Sequence, residues 1–370
     1  MRILGLVLAG GKGDRLEALT AKRTIAAMPV GGKFRAVDFV LSNMVNSGIE
    51  TVGIITQFNP RSLADHLGSG KEWGLDRKEG GLFILQPYIT DTHKSWYRGT
   101  VDAIYQNLTI LKRSNTSHAL IASGEHIYRM NYESLFKYHK EKNANITIMC
   151  KKVNDKARLR RFGVIEIDDN KRIIGFEEKP RSPRTDLASM GVYFIEKDLL
   201  ISLLSDAISI NGYDLVRNIL LPHISDLKIY AYEFKGFWES INTVKSYYNV
   251  NMEMLNPRVR HELLGDGGIY TKSKDLAPVK FVGEPMAENS IIAEGSIIAG
   301  KVKNSIIFRS VDIKAGAYVE NSIVMEGSRI EKRAKVVNAI IDKNCIITER
   351  STLHGTEYKP VIVGKSTVVT

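Results

Sequence analysis

From residue 1 to about 250, short aliphatic runs alternate with amphipathic stretches. Runs of roughly 4–8 apolar residues predict strands at 3–8, 51–55, 119–123, 145–151 and 191–195, with helical periodicity between them at 39–47, 101–113 and 132–142. That alternation is the rhythm of a mostly parallel sheet covered by helices. The interval 162–179 differs: two alternating runs flank Asp168, Asp169 and Asn170, which predicts a hairpin.

After about residue 285 the period changes. Tetrapeptides beginning at Asn289, Asn304, Asn321 and Asn338 (Asn-Ser-Ile-Ile, twice, then Asn-Ser-Ile-Val and Asn-Ala-Ile-Ile) recur at spacings of 15, 17 and 17 residues. Within them aliphatics fall six apart: Ile307, Ile313, Val319; then Val324, Ile330, Val336; then Ile341, Ile347. Six-residue steps in a three-sided coil turn one aliphatic per face inward, the signature of a parallel β-helix. The organisation expected is an α/β domain over 1–255, a connection over 256–284 containing Gly265-Asp266-Gly267-Gly268, and a hexapeptide-repeat β-helix over 285–370.

Composition narrows the function classes. With 44% hydrophobic and 25% charged residues in 370, the chain has the balance of a globular protein of two or three domains. The longest apolar runs fall short of the roughly 20 residues that span a bilayer, and the N-terminus lacks a secretory cleavage pattern, so a cytoplasmic protein without a membrane partner is expected. Cys150 and Cys345 are too far apart for a disulfide framework or metal signature and read as buried thiols. The net charge of +11 concentrates at 151–161, where six cations meet only Asp155. No zinc-finger spacing or RNA-recognition motif accompanies it, so no nucleic-acid partner is expected.

Candidate chemistry begins where the first strand runs into Ala9-Gly10-Gly11-Lys12-Gly13-Asp14-Arg15-Leu16. Glycines after a buried strand let backbone approach a phosphate, and Lys12 and Arg15 add donors. The segment is neither a dinucleotide fingerprint nor a GxxxxGK[ST] loop, since Gly32-Lys33 is followed by Phe34. No organic cofactor is expected.

Further along come Gly31 to Phe39 (GGKFRAVDF), Leu41-Ser42-Asn43, Trp96-Tyr97-Arg98-Gly99-Thr100, Gly124-Glu125-His126-Ile127-Tyr128, Glu177-Glu178-Lys179-Pro180 and Ser189-Met190-Gly191. In this order, ahead of a β-helix, they resemble the glucose-1-phosphate adenylyltransferase (ADP-glucose pyrophosphorylase) family over nearly the whole chain. The resemblance implies a Rossmann-like nucleotidyltransferase domain followed by a left-handed β-helix. It also implies a role in ADP-glucose and glycogen synthesis, from ATP and glucose 1-phosphate with Mg²⁺. Carried over from the family, the sugar-phosphate residues are Tyr97, Gly163, Glu178, Lys179 and Ser189, all of the family's type. The nucleotide loop is Gly10, Gly11, Gly13, Asp14 and Arg15.

The positions that should carry the reaction depart from that pattern. Asp14 replaces a threonine and brings negative charge toward a triphosphate. Ile25 stands where the family has a lysine near the phosphates. Glu125 replaces one metal-binding aspartate, and Ser240 the other, with Glu239 adjacent; Mg²⁺ demands close octahedral oxygen geometry. The run Asp214 to Asn218 loses a final acid. These changes resemble the GlgD class, which implies a regulatory subunit of weak or absent turnover in a heterotetramer with a catalytic GlgC-type subunit. Two alternatives stand beside it: an active adenylyltransferase in which Glu125 and Glu239 hold the metal, and a stand-alone sugar-phosphate sensor. The resemblance further implies an allosteric effector, with Arg23, Lys33 and Arg35 as candidates. Acetyl transfer by the solenoid is disfavoured, because His354 is the sole histidine after residue 261 and lies beyond the regular coils.

Overall fold

The structure is a computed structural model and describes residues 2–88, 95–265 and 268–370. Asp266 and Gly267 of the expected connection lie outside them. The chain divides into two compact units: Met1–Gly11, Val40–Pro60 and Leu67–Trp238 form one, and Lys12–Phe39, Arg61–His66 and Glu239–Thr370 the other. The solenoid unit thus also takes in a segment near the N-terminus. Among the described residues no helix is long and apolar enough to cross a membrane.

The first unit is built on a nine-stranded sheet. Its strands are β1 (Ile3–Leu8), β2 (Thr51–Ile55), β3 (Gly81–Leu85), β4 (His118–Ser123), β5 (Ile146–Lys152), β6 (Gly163–Ile167), β7 (Ile173–Glu178), β8 (Leu187–Glu196) and β9 (Ile229–Glu233). The spatial order is β7-β6-β8-β4-β1-β2-β3, with β5 beside β8 and β9 beside β5. β4, β1, β2 and β3 run parallel, and β8 is antiparallel to β4. β1 is buried on both faces, with Leu4, Leu6 and Val7 at 1% exposure or less, as a central parallel strand requires. Because β2 lies on one side of β1 and β4 on the other, the chain direction switches at the carboxyl end of β1, where open α/β sheets bind their ligands.

The five expected strands form within a few residues of their predicted bounds. The expected helix over 101–113 is two short helices, Thr100–Tyr105 and Leu108–Arg113, separated at Gln106 and Asn107. The hairpin forms as β6 and β7, and its turn is held by Asp168 Oδ1, which accepts from the Asn170 and Arg172 amides at 2.9 and 2.8 Å. In the basic stretch, the lone acid Asp155 is an N-cap, accepting from the Ala157 amide at 2.8 Å. β3 and β9 escape the sequence pattern. Within 256–284 a helix, Pro257–Leu264, is capped by Asn256.

The second unit is the solenoid, three parallel sheets of two- and three-residue strands stacked in register. Ile307, Ile313, Val319, Val324, Ile330, Val336, Ile341 and Ile347 are all fully buried along its axis, as the six-residue spacing predicts. Asn289, Asn304, Asn321 and Asn338 each have positive φ, from 41° to 48°. Asparagine tolerates this left-handed corner, which explains why it opens every repeat. The following serines form a ladder: the Ser322 amide donates to Ser305 Oγ and the Ala339 amide to Ser322 Oγ, both at 3.1 Å. These all-parallel coils are consistent with a left-handed β-helix. Cys150 and Cys345 are buried, free thiols, and burial pushes Cys150 up to about 12.

Candidate functional site

In the first unit, four of the expected sugar-phosphate residues converge at one corner of the sheet. Glu178 pairs with Gly163 across β6 and β7, and Ala188, next to Ser189, pairs with Val164. A Cβ on Gly163 would lie 2.4 Å from the Phe176 ring and 3.0 Å from Glu178 Oε2. Only glycine lets the strands close so tightly that the Glu178 carboxylate lies against bare backbone.

Lys179 follows with φ of 50° and its amide bonded to the Phe162 carbonyl at 3.1 Å. This bend leaves its ammonium half exposed and 2.7 Å from Glu178 Oε1. Ser189 is 6% exposed and sits where β8 changes partners; a bulge between Ser189 and Tyr193 and a positive φ at Gly191 turn the strand. The corner therefore offers one cation, one carboxylate, a hydroxyl and backbone groups.

Tyr97 comes from a different segment and packs against the extended hydrophobic core of the sheet unit. Its hydroxyl accepts from Asn107 Nδ2 at 2.9 Å, and the Asn107 amide also donates to the Ala103 carbonyl at 2.8 Å. Burial raises the Tyr97 phenol above its ordinary value. Asn107 carried no sequence signal; its role depends on the helix break beside it.

Glu125 stands at the carboxyl end of β4, where the Gly124 amide bonds the Leu8 carbonyl at 2.9 Å, so it adjoins the start of the Ala9-Gly10-Gly11 turn. It is half buried. Next to it, His126 is buried edge-on to Trp238, with centroids 5.3 Å apart. Burial lowers this imidazole to about 4, so it is neutral at ordinary pH. Asn43 braces the segment from both ends of its amide, donating to the Tyr128 carbonyl and accepting from the Met130 amide, each at 3.0 Å.

The second unit carries the rest of the glycine loop. Gly13 has φ of 76°, and a Cβ there would lie 2.7 Å from Ile25 Cγ1. Buried Ile25 therefore backs the loop as an apolar wall. Asp14 Oδ1 is 3.0 Å from Lys12 Nζ, with both side chains largely exposed, and Arg15 is exposed. Ser240 is 2% exposed and its Oγ has no hydrogen-bond partner. Glu239 precedes it, half buried. Among the described residues, no group of three or more His, Cys, Asp or Glu side chains gathers as a cation cage.

The effector candidates separate. Arg23 is 3% exposed and bonds Asp342 Oδ1 at 2.8 Å. Lys33 and Arg35 instead line a cavity of about 220 Å³ with Lys272, Lys274, Arg309 and Lys343, alongside Glu326 and Asp65. Arg35 donates through Nη1 to the Ser62 carbonyl at 2.5 Å, while Asp38 engages His66 Nε2 at 2.6 Å. Glu326 pairs with Lys343 at 2.7 Å and with Lys274. Burial and then Arg35 pull the Lys343 ammonium down to about 8 despite Glu326. The cavity holds more positive charge than its own acids satisfy.

Residues 4–257 match the nucleotidyl transferase family and residues 277–358 the GlmU-like C-terminal hexapeptide family. The chain is 41% identical over 350 residues to glucose-1-phosphate adenylyltransferase of Fervidobacterium nodosum, covering 94% of this chain and 84% of that one. Against the enzyme of the same name from Bacillus thuringiensis it is 40% identical over 353 residues, covering 94% and 93%. The Thermosipho africanus protein is 40% identical over 324 residues, covering 86% and 78%. Similarity of this extent, running through both the sheet unit and the coils, makes the chain a member of the glucose-1-phosphate adenylyltransferase family.

Proposed function

We propose that the chain binds glucose 1-phosphate at the corner of Gly163, Glu178, Lys179, Ser189 and Tyr97, and acts as a regulatory subunit of an ADP-glucose-forming assembly with weak or no turnover of its own. The chemistry of the corner supports the first half: an ammonium suits a phosphate, and carboxylate, hydroxyl and backbone groups suit sugar hydroxyls.

The observation that carries the second half is the nucleotide loop. Attack of a sugar phosphate on the α-phosphorus of ATP needs cations placed for developing negative charge. Here the loop is backed by Ile25 rather than a cation, and the Lys12 charge is matched by Asp14 within the loop itself. A metal fits poorly by residue chemistry, since the Ser240 hydroxyl stands where a carboxylate is expected and is buried without a partner. On this reading the partner is a catalytic GlgC-type subunit, in the heterotetramer the family resemblance implies.

A second reading, an active adenylyltransferase with Glu125 and Glu239 as Mg²⁺ carboxylates, draws on the names of the relatives, all of them enzymes. Those names support it more directly than they support the regulatory reading. Calorimetry with glucose 1-phosphate separates the parts. The proposal expects saturable binding to the isolated chain, weakened at least about tenfold in Lys179→Ala and unaffected by Glu125→Ala or added Mg²⁺. If Glu125→Ala abolishes ADP-glucose formation by the isolated chain, the second reading holds.

The cavity lined by Lys33, Arg35 and Lys343 is proposed to take an anionic effector, which would supply the missing negative charge. Loss of effector response in Lys33→Glu with Lys343→Glu supports this; an unchanged response rejects it.

A further inference from the structure

The corner asparagines of the solenoid have a second property that their backbone angles do not require. Asn289, Asn304, Asn321 and Asn338 each follow by one residue the in-register positions Glu288, Lys303, Glu320 and Val337. They therefore rise in one column, with about 4.8 Å from coil to coil. All four line a cavity of about 800 Å³, within the usual range for small-molecule sites. The helix Val244–Glu253 and the start of the next supply its apolar wall, Met252, Leu255 and Pro257. The Tyr248 hydroxyl donates to the Asn321 carbonyl at 2.7 Å and ties that helix to the column.

The amides of the column are only partly used. Asn289 Nδ2 donates to Asn304 Oδ1 at 2.8 Å, and Asn338 Nδ2 to the Gly355 carbonyl at 3.2 Å. Among the described residues, Asn304 Nδ2 and both polar atoms of the Asn321 side chain have no protein partner, and none of the three is sealed from solvent. The charged residues of the lining are Glu253 and Glu357, with no lysine or arginine among the described ones. The cavity thus disfavours phosphates and carboxylates, the opposite of the cation-rich cavity at Lys33 and Lys343.

This combination selects a chemistry. A primary amide presents a donor and an acceptor side by side, which matches two neighbouring hydroxyls of a sugar ring. Carboxylates accept from further hydroxyls, and Met252, Leu255 and Pro257 suit the C–H face of the same ring. Because the amides repeat from coil to coil, the column offers equivalent contacts to successive rings. We infer that this cavity binds a neutral oligosaccharide, its rings following the asparagine column. The site uses none of the residues of the Gly163 corner and does not rest on the function proposed above.

The probes are maltotriose and cellotriose, which have the same composition and differ in linkage. Each is titrated into the full chain by calorimetry and ligand-observed NMR. Saturable binding of at least one, once per chain, is expected, and the tighter binder identifies the linkage. Asn321→Gly is the informative variant: φ there is 45°, and glycine keeps that left-handed corner while deleting the amide. It is expected to weaken binding about tenfold with cooperative thermal unfolding retained, and Asn304→Gly to behave likewise. Asn344→Gly, at another left-handed position of the solenoid that does not line the cavity, is expected to leave binding intact, as is Lys179→Ala. Binding of neither trisaccharide, affinity unchanged in Asn321→Gly and Asn304→Gly, equal losses in Asn321→Gly and Asn344→Gly, or displacement of the trisaccharide by glucose 1-phosphate overturns the proposal. Failure of glucose 1-phosphate to bind, with the trisaccharide still bound, rejects the Gly163 corner alone and leaves this site standing.

Discussion

Gly163 has no room for a side chain, and that single fact shapes the corner proposed to bind the sugar phosphate. Alanine there places a methyl 2.4 Å from the Phe176 ring. Gly163→Ala is expected to cost about 1–3 kcal/mol in urea unfolding, as overpacking does, and to weaken glucose 1-phosphate binding by displacing Glu178. Unchanged stability and affinity would show that the strands part freely. Arg23 illustrates the limit of a residue read alone. In the sequence it is one more cation beside Lys33 and Arg35, yet the fold buries it against Asp342, and no local pattern announces a partner more than 300 positions away. Removing one member of a buried pair leaves an uncompensated charge, so Arg23→Ala is expected to lose about 3–5 kcal/mol, against less than about 1 kcal/mol for exposed Arg15→Ala. Equal losses would contradict the pairing.

At the scale of elements, legibility followed periodicity. The inward aliphatics of the solenoid repeat every six residues and were readable one by one, because each coil sees the same neighbours. Ile330→Ala is expected to cost about 2–5 kcal/mol by thermal or urea unfolding, and Asn321→Ala about 1–2 kcal/mol through its left-handed corner; costs near zero at both would argue against a packed coil. Where partners come from distant strands, the sequence was silent: the break at Gln106 and Asn107 interrupts a stretch whose apolar spacing is continuous. The helix Glu133–Glu141 adds a pH dependence. His139 bonds Thr147 Oγ1 at 2.8 Å beside the His118 ring, and burial lowers it to about 4. That lies below the unfolded value near 6.5, so the fold favours the neutral ring. Its contribution is complete above about pH 6.5 and is lost as pH falls toward 4, at up to about 1.4 kcal/mol per pH unit. Denaturation across that range is expected to show the decline, reduced in His139→Gln; a flat profile would contradict it.

At the scale of the whole molecule, the α/β class, the solenoid and the family were all legible, because each is written in repeats or in runs of contiguous motif. The division into units was less so: residues 12–39 and 61–66 group with the coils, a consequence of packing that no composition shift marks. The candidate site was legible as residue types, while its supports, Asn107 behind Tyr97, Trp238 over His126 and Asn43 across the following strand, emerge only in three dimensions. On the proposed reading, the groups at the Gly163 corner hold the sugar phosphate while the loop cations are matched or missing, so the chain would recognise a substrate it converts poorly. The most direct measurement is ADP-glucose formation from ATP, glucose 1-phosphate and Mg²⁺ by the purified chain, alone and mixed with a catalytic homologue from the same cell. The account predicts little or no turnover alone and a changed rate or effector response in the mixture. Turnover by the isolated chain at ordinary enzyme rates, about 1–10³ s⁻¹, would contradict it and make Glu125 part of a working site.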